Sequence, residues 1–334
     1  MNIYCTLFDS NYLDKGLVLY HSLCRCEDVF RLYVFAFDDR CRDILRQEAF
    51  ENMVVVDLAD FESPELLKVK EERTRAEYCW TCTPWTVKYV LENYHEPACT
   101  YIDADLMFFS SPSYLFDAMR DAGCSCIIVP HRLGGDRRNR QREAHVGKYC
   151  VEFNTFVNNE DGRQALDWWA EACLDWCFYI PMGTQETRYG DQKYLEEFPK
   201  RFRGVYICEE YGAGIAPWNA YQLKLAAGTK DPFQVEVIAT GMRYPIVFFH
   251  YAGIMHLSRQ YVNVNSGVTD KALHQVLCDS YVAQIKEQRD YLLERYGLKL
   301  YMRRKVTNNP IMAFYQRFIS PIAHIRRLSD IYKI

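Results

Sequence analysis

No uninterrupted apolar run of roughly eighteen residues occurs anywhere in the 334-residue chain, so no transmembrane helix is expected. The first residues, MNIYCTLFDSNYLDKGLVLY, lack a basic segment leading into a long apolar one, and they read as a first strand and not a secretory signal. Excess charge is missing as well: 40 Lys and Arg against 44 Asp and Glu leave a net charge of −4, with no global attraction for nucleic acid. Repeats of solenoid length are absent. With only 16 Gly and 12 Pro and 49% hydrophobic residues, the composition excludes a mainly disordered or collagen-like chain.

Cysteine is plentiful, with 14 residues, but the pattern of a zinc site is not. The pairs Cys24/Cys26, Cys79/Cys82 (in CWTC), Cys124/Cys126 and Cys173/Cys177 differ in spacing and carry no nearby His-x-His partner. With no export signal, the thiols are expected to be reduced and packed as small hydrophobes, and the cytoplasm is the expected compartment.

Strand and helix patterns alternate from the start. NIYCTLF, RLYVFAF and MVVVDL read as strands, with GLVLYHSL and CRDILRQEAF as the helices between them, which predicts a parallel sheet with crossover helices. A mostly helical stretch over residues 62–94 leads into the strand ACTYIDAD. Then come helical YLFDAM, the strand CSCIIVP, the Gly- and Arg-rich loop HRLGGDRRNRQRE, the strand VEFNTFV, a short helix beginning at Asp191, the strand GVYICEE and a last strand YPIVFFHYAG.

Ala165, Trp168, Trp169, Ala172, Cys173, Trp176 and Cys177 fall on one helical face, which favours core packing over a sugar platform. Leu273, Val276, Leu277, Tyr281, Ile285 and Leu292 mark a long amphipathic helix ended by Gly297. Residues 301–334 hold seven Lys or Arg against the single acid Asp330, interleaved with apolar residues. Such a segment can lie on an anionic membrane surface or dock on its own domain.

The chemistry concentrates in CTYIDADLMFFSSP. Asp103 and Asp105 would share one face if the strand ran on through them, and two carboxylates so close call for a compensating cation. Mg²⁺ or Mn²⁺ bridging nucleotide phosphates would supply it, at the carboxyl end of a central strand where open α/β sheets bind ligands. Haloacid-dehalogenase phosphatases also carry Asp-x-Asp, but near the N-terminus and with a different continuation.

In order and spacing, YCTLFDSNYLDKGLVLYHSL, YIDADLMFF, GDQKYL and FFHYAG resemble nucleotide-sugar glycosyltransferases of the GT-A fold, nearest to the family-8-like enzymes, over about residues 1–253. The resemblance implies an α/β fold with a twisted, mostly parallel sheet flanked by helices over residues 1–266; apolar spacing and charge predict a helical, basic amphipathic extension after it, over residues 267–334. It implies metal ligation by Asp103, Asp105 and His250, with Thr6, Tyr12, Ala104, Asn154 and Gly253 also meeting the donor, and Asp191 and Gln192 acting in catalysis. Mn²⁺ or Mg²⁺ and a UDP-linked sugar are the implied cofactor and donor.

The acceptor would be a glycan or a lipid-linked saccharide in cell-surface polysaccharide biosynthesis, with no nucleic acid partner. The expected location is cytoplasmic, with the tail able to hold the protein on the inner face of the membrane. The family's Lys-Pro-Trp after the C-terminal His is replaced by Met255, His256 and Arg259, and its Asn-Ser-Gly is only partly matched around Asn154. Five arginines between Arg132 and Arg142, and Trp218 with Asn219, are acceptor-site candidates or ordinary loop residues. A phosphohydrolase with Asp103 as nucleophile, or a catalytically silent sugar-binding protein, are the other classes compatible with the pattern.

Overall fold

The computed structural model describes residues 1–228, 232–257, 260–300 and 330–333. Its first half alternates β1 (Asn2–Phe8), α1 (Leu13–Cys26), β2 (Phe30–Ala36), α2 (Asp39–Glu48) and β3 (Met53–Asp57). Short helices α3 (Leu58–Phe61) and α4 (Pro64–Lys70) lead to the long α5 (Arg75–Asn93). Then follow β4 (Ala98–Ile102), β5 (Leu106–Phe108), α6 (Ser113–Asp121), β6 (Cys126–Pro130), α7 (Arg137–Val146), β7 (Tyr149–Val157), α8 (Glu160–Asp175), α9 (Phe198–Arg201) and β8 (Val205–Ile207).

Seven of these strands form one sheet in the order β3-β2-β1-β4-β7-β6-β8. Only β7 runs against its two neighbours; the other pairings are parallel. The expected twisted, mostly parallel sheet flanked by helices is therefore the fold this chain adopts, with β4 at its centre. Successive side chains of a strand point to opposite faces, and β1 shows the consequence: Ile3, Cys5 and Leu7 enter one core cluster and Tyr4 and Phe8 another. The first cluster holds α5 and α8 against the sheet through Val87, Leu166 and Trp169; the second holds α1, α2 and α6 through Leu17, Ile44 and Leu115. Full burial of each such side chain contributes about 1.5–3 kcal/mol.

Helix α8 follows the expected stripe in part. Ala165, Trp169, Cys173 and Cys177 are buried, Trp168, Ala172 and Trp176 are half-buried, and Leu166 and Ala170 widen the face that packs. All 14 cysteines are free, and burial pushes the Cys79 thiol of CWTC up to about 12, so packing describes these residues better than metal or redox chemistry.

Smaller strands complete the structure: β9 (Leu223–Leu225), β10 (Gln234–Val237), β11 (Arg243–Pro245), β12 (Phe248–His250), β13 (Met255–His256), β14 (Tyr261–Asn263) and β15 (Ile331–Lys333). The expected last strand YPIVFFHYAG is thus two strands in different sheets, because the chain passes from β11, paired with β10, to β12, paired with β5. The stripe from Leu273 onward forms α10 (Lys271–His274), a π turn over Gln275–Asp279 and α11 (Ser280–Tyr296), after which Gly297 takes a φ of +63°. Leu273, Leu277, Tyr281 and Ile285 are buried against Val18, Met107, Phe249 and Tyr251, so this helical segment backs the β5–β12 pair.

The tail expectation falls mostly on residues 301–329 and 334, outside the described residues. What is described of it docks on the domain: β15 pairs with β14, and buried Asp330 accepts hydrogen bonds from the Ser266 backbone N–H and hydroxyl. Among the described residues no helix is long and apolar enough to cross a membrane.

Candidate active site

Strand β4 stops at Ile102, and the chain turns where the sequence pattern left open a continuing strand. The Leu106 N–H donates to the Asp103 carbonyl at 3.2 Å, and β5 begins immediately. Asp103 and Asp105 therefore approach each other through a four-residue turn, not through the alternation of a strand. Register brings the third member. In the antiparallel β5–β12 pair His250 lies opposite Leu106, and the next residue, Tyr251, donates its N–H to the Asp105 carbonyl at 3.0 Å.

His250 Nε2 consequently sits 3.1 Å from Asp105 Oδ1 and 3.5 Å from Asp103 Oδ2, with one ligand atom of each residue within 4.8 Å of the others. Two carboxylates and an imidazole in that space are a donor set suited to Mn²⁺ or Mg²⁺. The charges are visible in the titration of the group. Burial drives the Asp103 carboxyl up and His250 pulls it back; with Asp105 and Glu152 repelling, it is pushed up to about 7. At Asp105 burial is outweighed by the charge and hydrogen bond of His250 and by Lys15, and the carboxyl is held below its ordinary range. Burial alone would lower His250, but Asp105 and further hydrogen bonds, Glu152 among them, raise it well above the usual imidazole value.

The three residues open onto a cleft of about 670 Å³ that Tyr12, Ala104, Asp191, Gln192 and Gly253 also line. Tyr12 closes the Asp9-capped turn of FDSNY, and the Lys15 ammonium lies 3.9 Å from its ring centroid. Asp191 is buried, and burial first, then the charge of Asp103, pushes its carboxyl up to about 8. It precedes a 3₁₀ turn over Gln192–Glu197 where an ordinary short helix was expected. The Gln192 amide donates to the Val146 carbonyl at 2.7 Å. Gly253, at a φ of +83°, bends the chain away after β12. Thr6 and Asn154 do not line the cleft: both are fully buried in β1 and β7, and their side-chain polar atoms have no hydrogen-bond partner among the described residues.

The acceptor-site candidates divide. Arg142 lines the cleft, 5.9 Å from the Trp218 ring, whereas Arg132 donates to the carbonyls of Ala213, Cys208 and Glu210 and so braces a loop. Residues 137–146 are helical, not loop, because Asp136 caps them by accepting from the Asn139 N–H at 2.9 Å. Trp218 lines the cleft with its ring edge-on to His250, while Asn219 is spent on the His131 and Gly214 carbonyls. Arg259 lies outside the described residues.

Several lining residues went unread in the sequence. Tyr101 donates to Asp103 Oδ1 at 2.9 Å, and His131, pushed down to about 3 by burial, is a neutral ring joined to the Gly147 carbonyl. Glu152, just beneath the cleft, bonds His250 Nδ1 at 2.7 Å. Its signal was present: a lone carboxylate inside the apolar strand YCVEFNTFV. Cys150, Glu152 and His250 form a second close set, but burial holds the Cys150 thiol well above its ordinary value, in the protonated form that ligates poorly.

The sheet is mostly parallel with one reversed strand, an acidic turn ends its central strand, and a histidine faces that turn. No protein-family model matches the chain. It is 29% identical to the uncharacterized protein YfnD of Bacillus subtilis over 290 residues, 86% of this chain and 89% of that protein. It is 30% identical to the uncharacterized protein YfnF of the same organism over 257 residues, 75% and 80% of the two chains. Among solved structures it is similar to mouse xyloside xylosyltransferase 1, with a TM-score of 0.45 and 12% identity over 75% of this chain and 98% of that one. The chain belongs to the family of YfnF.

Proposed function

We propose that the protein is a metal-dependent glycosyltransferase that moves a sugar from a nucleoside-diphosphate donor, UDP-linked, to a glycan or lipid-linked acceptor in cell-surface polysaccharide synthesis. The observation that carries this reading is the convergence of Asp103, Asp105 and His250 on one edge of a cleft at the carboxyl end of β4. Those three residues would hold Mn²⁺ or Mg²⁺. When bound, such a cation supplies the positive charge that a departing diphosphate needs.

The chain's own residues do the rest. Tyr12 offers a ring face to the base, with Lys15 against it adding positive charge near the carboxylates. Asp191 and Gln192 are the candidates to meet the transferred sugar: a buried carboxyl can bind its hydroxyls, and an amide dipole can steady oxocarbenium character. Thr6 and Asn154 enter as supports of the strands that end at the cleft, and Ala104 and Gly253 as small residues that leave room beside the phosphates. The basic tail over residues 301–334 would hold the protein on an anionic inner membrane surface; its composition supports this, and deleting the segment should reduce sedimentation with anionic liposomes.

The central test incubates purified protein with a panel of nucleotide sugars and Mn²⁺ and follows nucleoside diphosphate release. One UDP-sugar should be turned over, and chelation should abolish the turnover. If no donor is bound or hydrolysed, or if phosphate is instead released from simple esters, the transferase reading fails.

A further inference from the structure

Glu152 is a charged side chain beside the cleft for which the reading above has no task. It is fully buried within β7, where an unpaired carboxylate is costly. The strand is deformed to place it. Between β6 and β7 the pairing runs from Ile127 opposite Thr155 to Val129 opposite Cys150, so β7 carries extra residues between two points that are two residues apart on β6. Bulges of this kind re-aim side chains beside functional sites. The Glu152 carbonyl accepts from the Asp103 N–H at 3.1 Å, continuing the β4–β7 ladder, while the carboxylate Oε2 reaches His250 Nδ1 at 2.7 Å. One residue thus touches two of the three proposed ligands.

Space for the carboxylate is made by a glycine. A Cβ on Gly214, whose φ is +86°, would lie 2.8 Å from Glu152 Oε1 and 2.6 Å from a Val129 methyl. Oε1 has no hydrogen-bond partner among the described residues, so the carboxylate is held by His250 and not by a general polar network.

We infer that Glu152 is the positioning residue for His250: it takes the Nδ1 proton in a hydrogen bond, fixes the ring plane, and leaves the Nε2 lone pair directed at the space between Asp103 and Asp105. A carboxylate in this place also makes the imidazole a more basic ligand than a carbonyl partner would, and partners of this kind change metal affinity about 10- to 100-fold. The inference rests on the metal site proposed above and adds to it a residue that never touches the cation.

The test titrates the full-length protein with Mn²⁺ alone, reading free Mn²⁺ by electron paramagnetic resonance, for wild type, Glu152→Gln, His250→Ala and the double variant. Glu152→Gln should bind Mn²⁺ about 10- to 100-fold more weakly. His250→Ala should lose at least as much, and the double variant no more than His250→Ala, because Glu152 acts through the ring. In the metal-free protein, at a pH where the ring is neutral, ¹⁵N shifts of His250 should report a single Nδ1–H tautomer in wild type and a mixture in Glu152→Gln. If Glu152→Gln does not fold, Glu152→Asp, which keeps the charge but falls short of Nδ1, should show the weakened binding instead.

Binding within twofold of wild type in Glu152→Gln, alongside a large loss in His250→Ala, overturns the positioning role; so does additivity in the double variant. Absence of Mn²⁺ binding to wild type, or indifference to His250→Ala and Asp105→Asn together, overturns the metal site itself and this inference with it.

Discussion

Asp103, Asp105, His250 and Glu152 differ from the aromatic part of the same cleft, Trp80 and Tyr189, in what holds them in place. The acidic part is fixed by backbone register: a turn closed by Leu106, a ladder that sets His250 opposite Leu106, and a bulge that aims Glu152. Tyr189 instead stands in the loop after α8 and is held by ring contacts to Trp80 at 6.3 Å, His145 at 4.9 Å and Tyr179 at 5.8 Å. Ladder hydrogen bonds tolerate little displacement, whereas edge contacts between rings vary smoothly over such distances. A cation site would demand the first kind of support, and a surface that only stacks against a ligand could accept the second.

The sharpest way to break this comparison is to remove a ligand. Asp105→Asn should abolish measurable Mn²⁺ binding and lower metal-dependent diphosphate release by about 100-fold or more, the scale on which a lost electrostatic contact to a transition state registers. The metal-free variant should melt close to wild type, since relief of the repulsion with Asp103 offsets the lost ion pair with His250. A large fall in melting temperature with binding retained would mean that the acidic part is structural.

Protons test the same part less severely. Asp103 must lose its proton to bind a cation, and its carboxyl is pushed up to about 7 chiefly by burial. Below that pH proton and metal compete at Asp103, and above it Mn²⁺ must still displace the proton that His250 holds well above the usual imidazole range, so affinity should rise with pH across the interval and most steeply below pH 7. Calorimetric titrations from pH 5.5 to 8.5 check this, and an affinity independent of pH across the range would contradict it.

How much of this was legible in the sequence follows from the same physical difference. The sheet could be read because alternating strand and helix patterns are local, and Asp103 and Asp105 could be read because they are two residues apart. His250 entered through resemblance, since nothing local ties residue 250 to residue 105; the link is a ladder across more than 140 positions. Glu152 was missed because its function depends on a bulge, and bulges leave little periodic trace. The Arg-rich stretch was misread because composition cannot separate a capped helix from a loop when apolar spacing is lacking: α7 buries no residue. Asn154 and Thr6 show the converse, matching a pattern by position while lying buried away from the cleft.

The aromatic part should respond more mildly. Tyr189→Ala removes one ring face, worth about 1 kcal/mol, and should raise a substrate KM about fivefold while Mn²⁺ affinity stays within twofold. Steady-state kinetics beside the same Mn²⁺ titration separate the two parts. Equal losses in both measurements would show that the cleft works as one unit and that the comparison is wrong.

The smallest effect is expected at the junction between ladder and loop. Gly253 follows β12 at a φ of +83°, and a Cβ there would come no closer than 3.6 Å to a neighbour, the Asn265 side-chain nitrogen. Gly253→Ala therefore meets no steric barrier and suffers only the backbone cost of a left-handed residue, about 1–2 kcal/mol. In a chain of this size that corresponds to a fall of only about 1–3 °C in Tm. If register and not the following turn positions His250, Mn²⁺ affinity should remain within twofold despite the lower Tm. A loss of tenfold or more in affinity would move the origin of the site's geometry from the β5–β12 ladder to the turn that succeeds it.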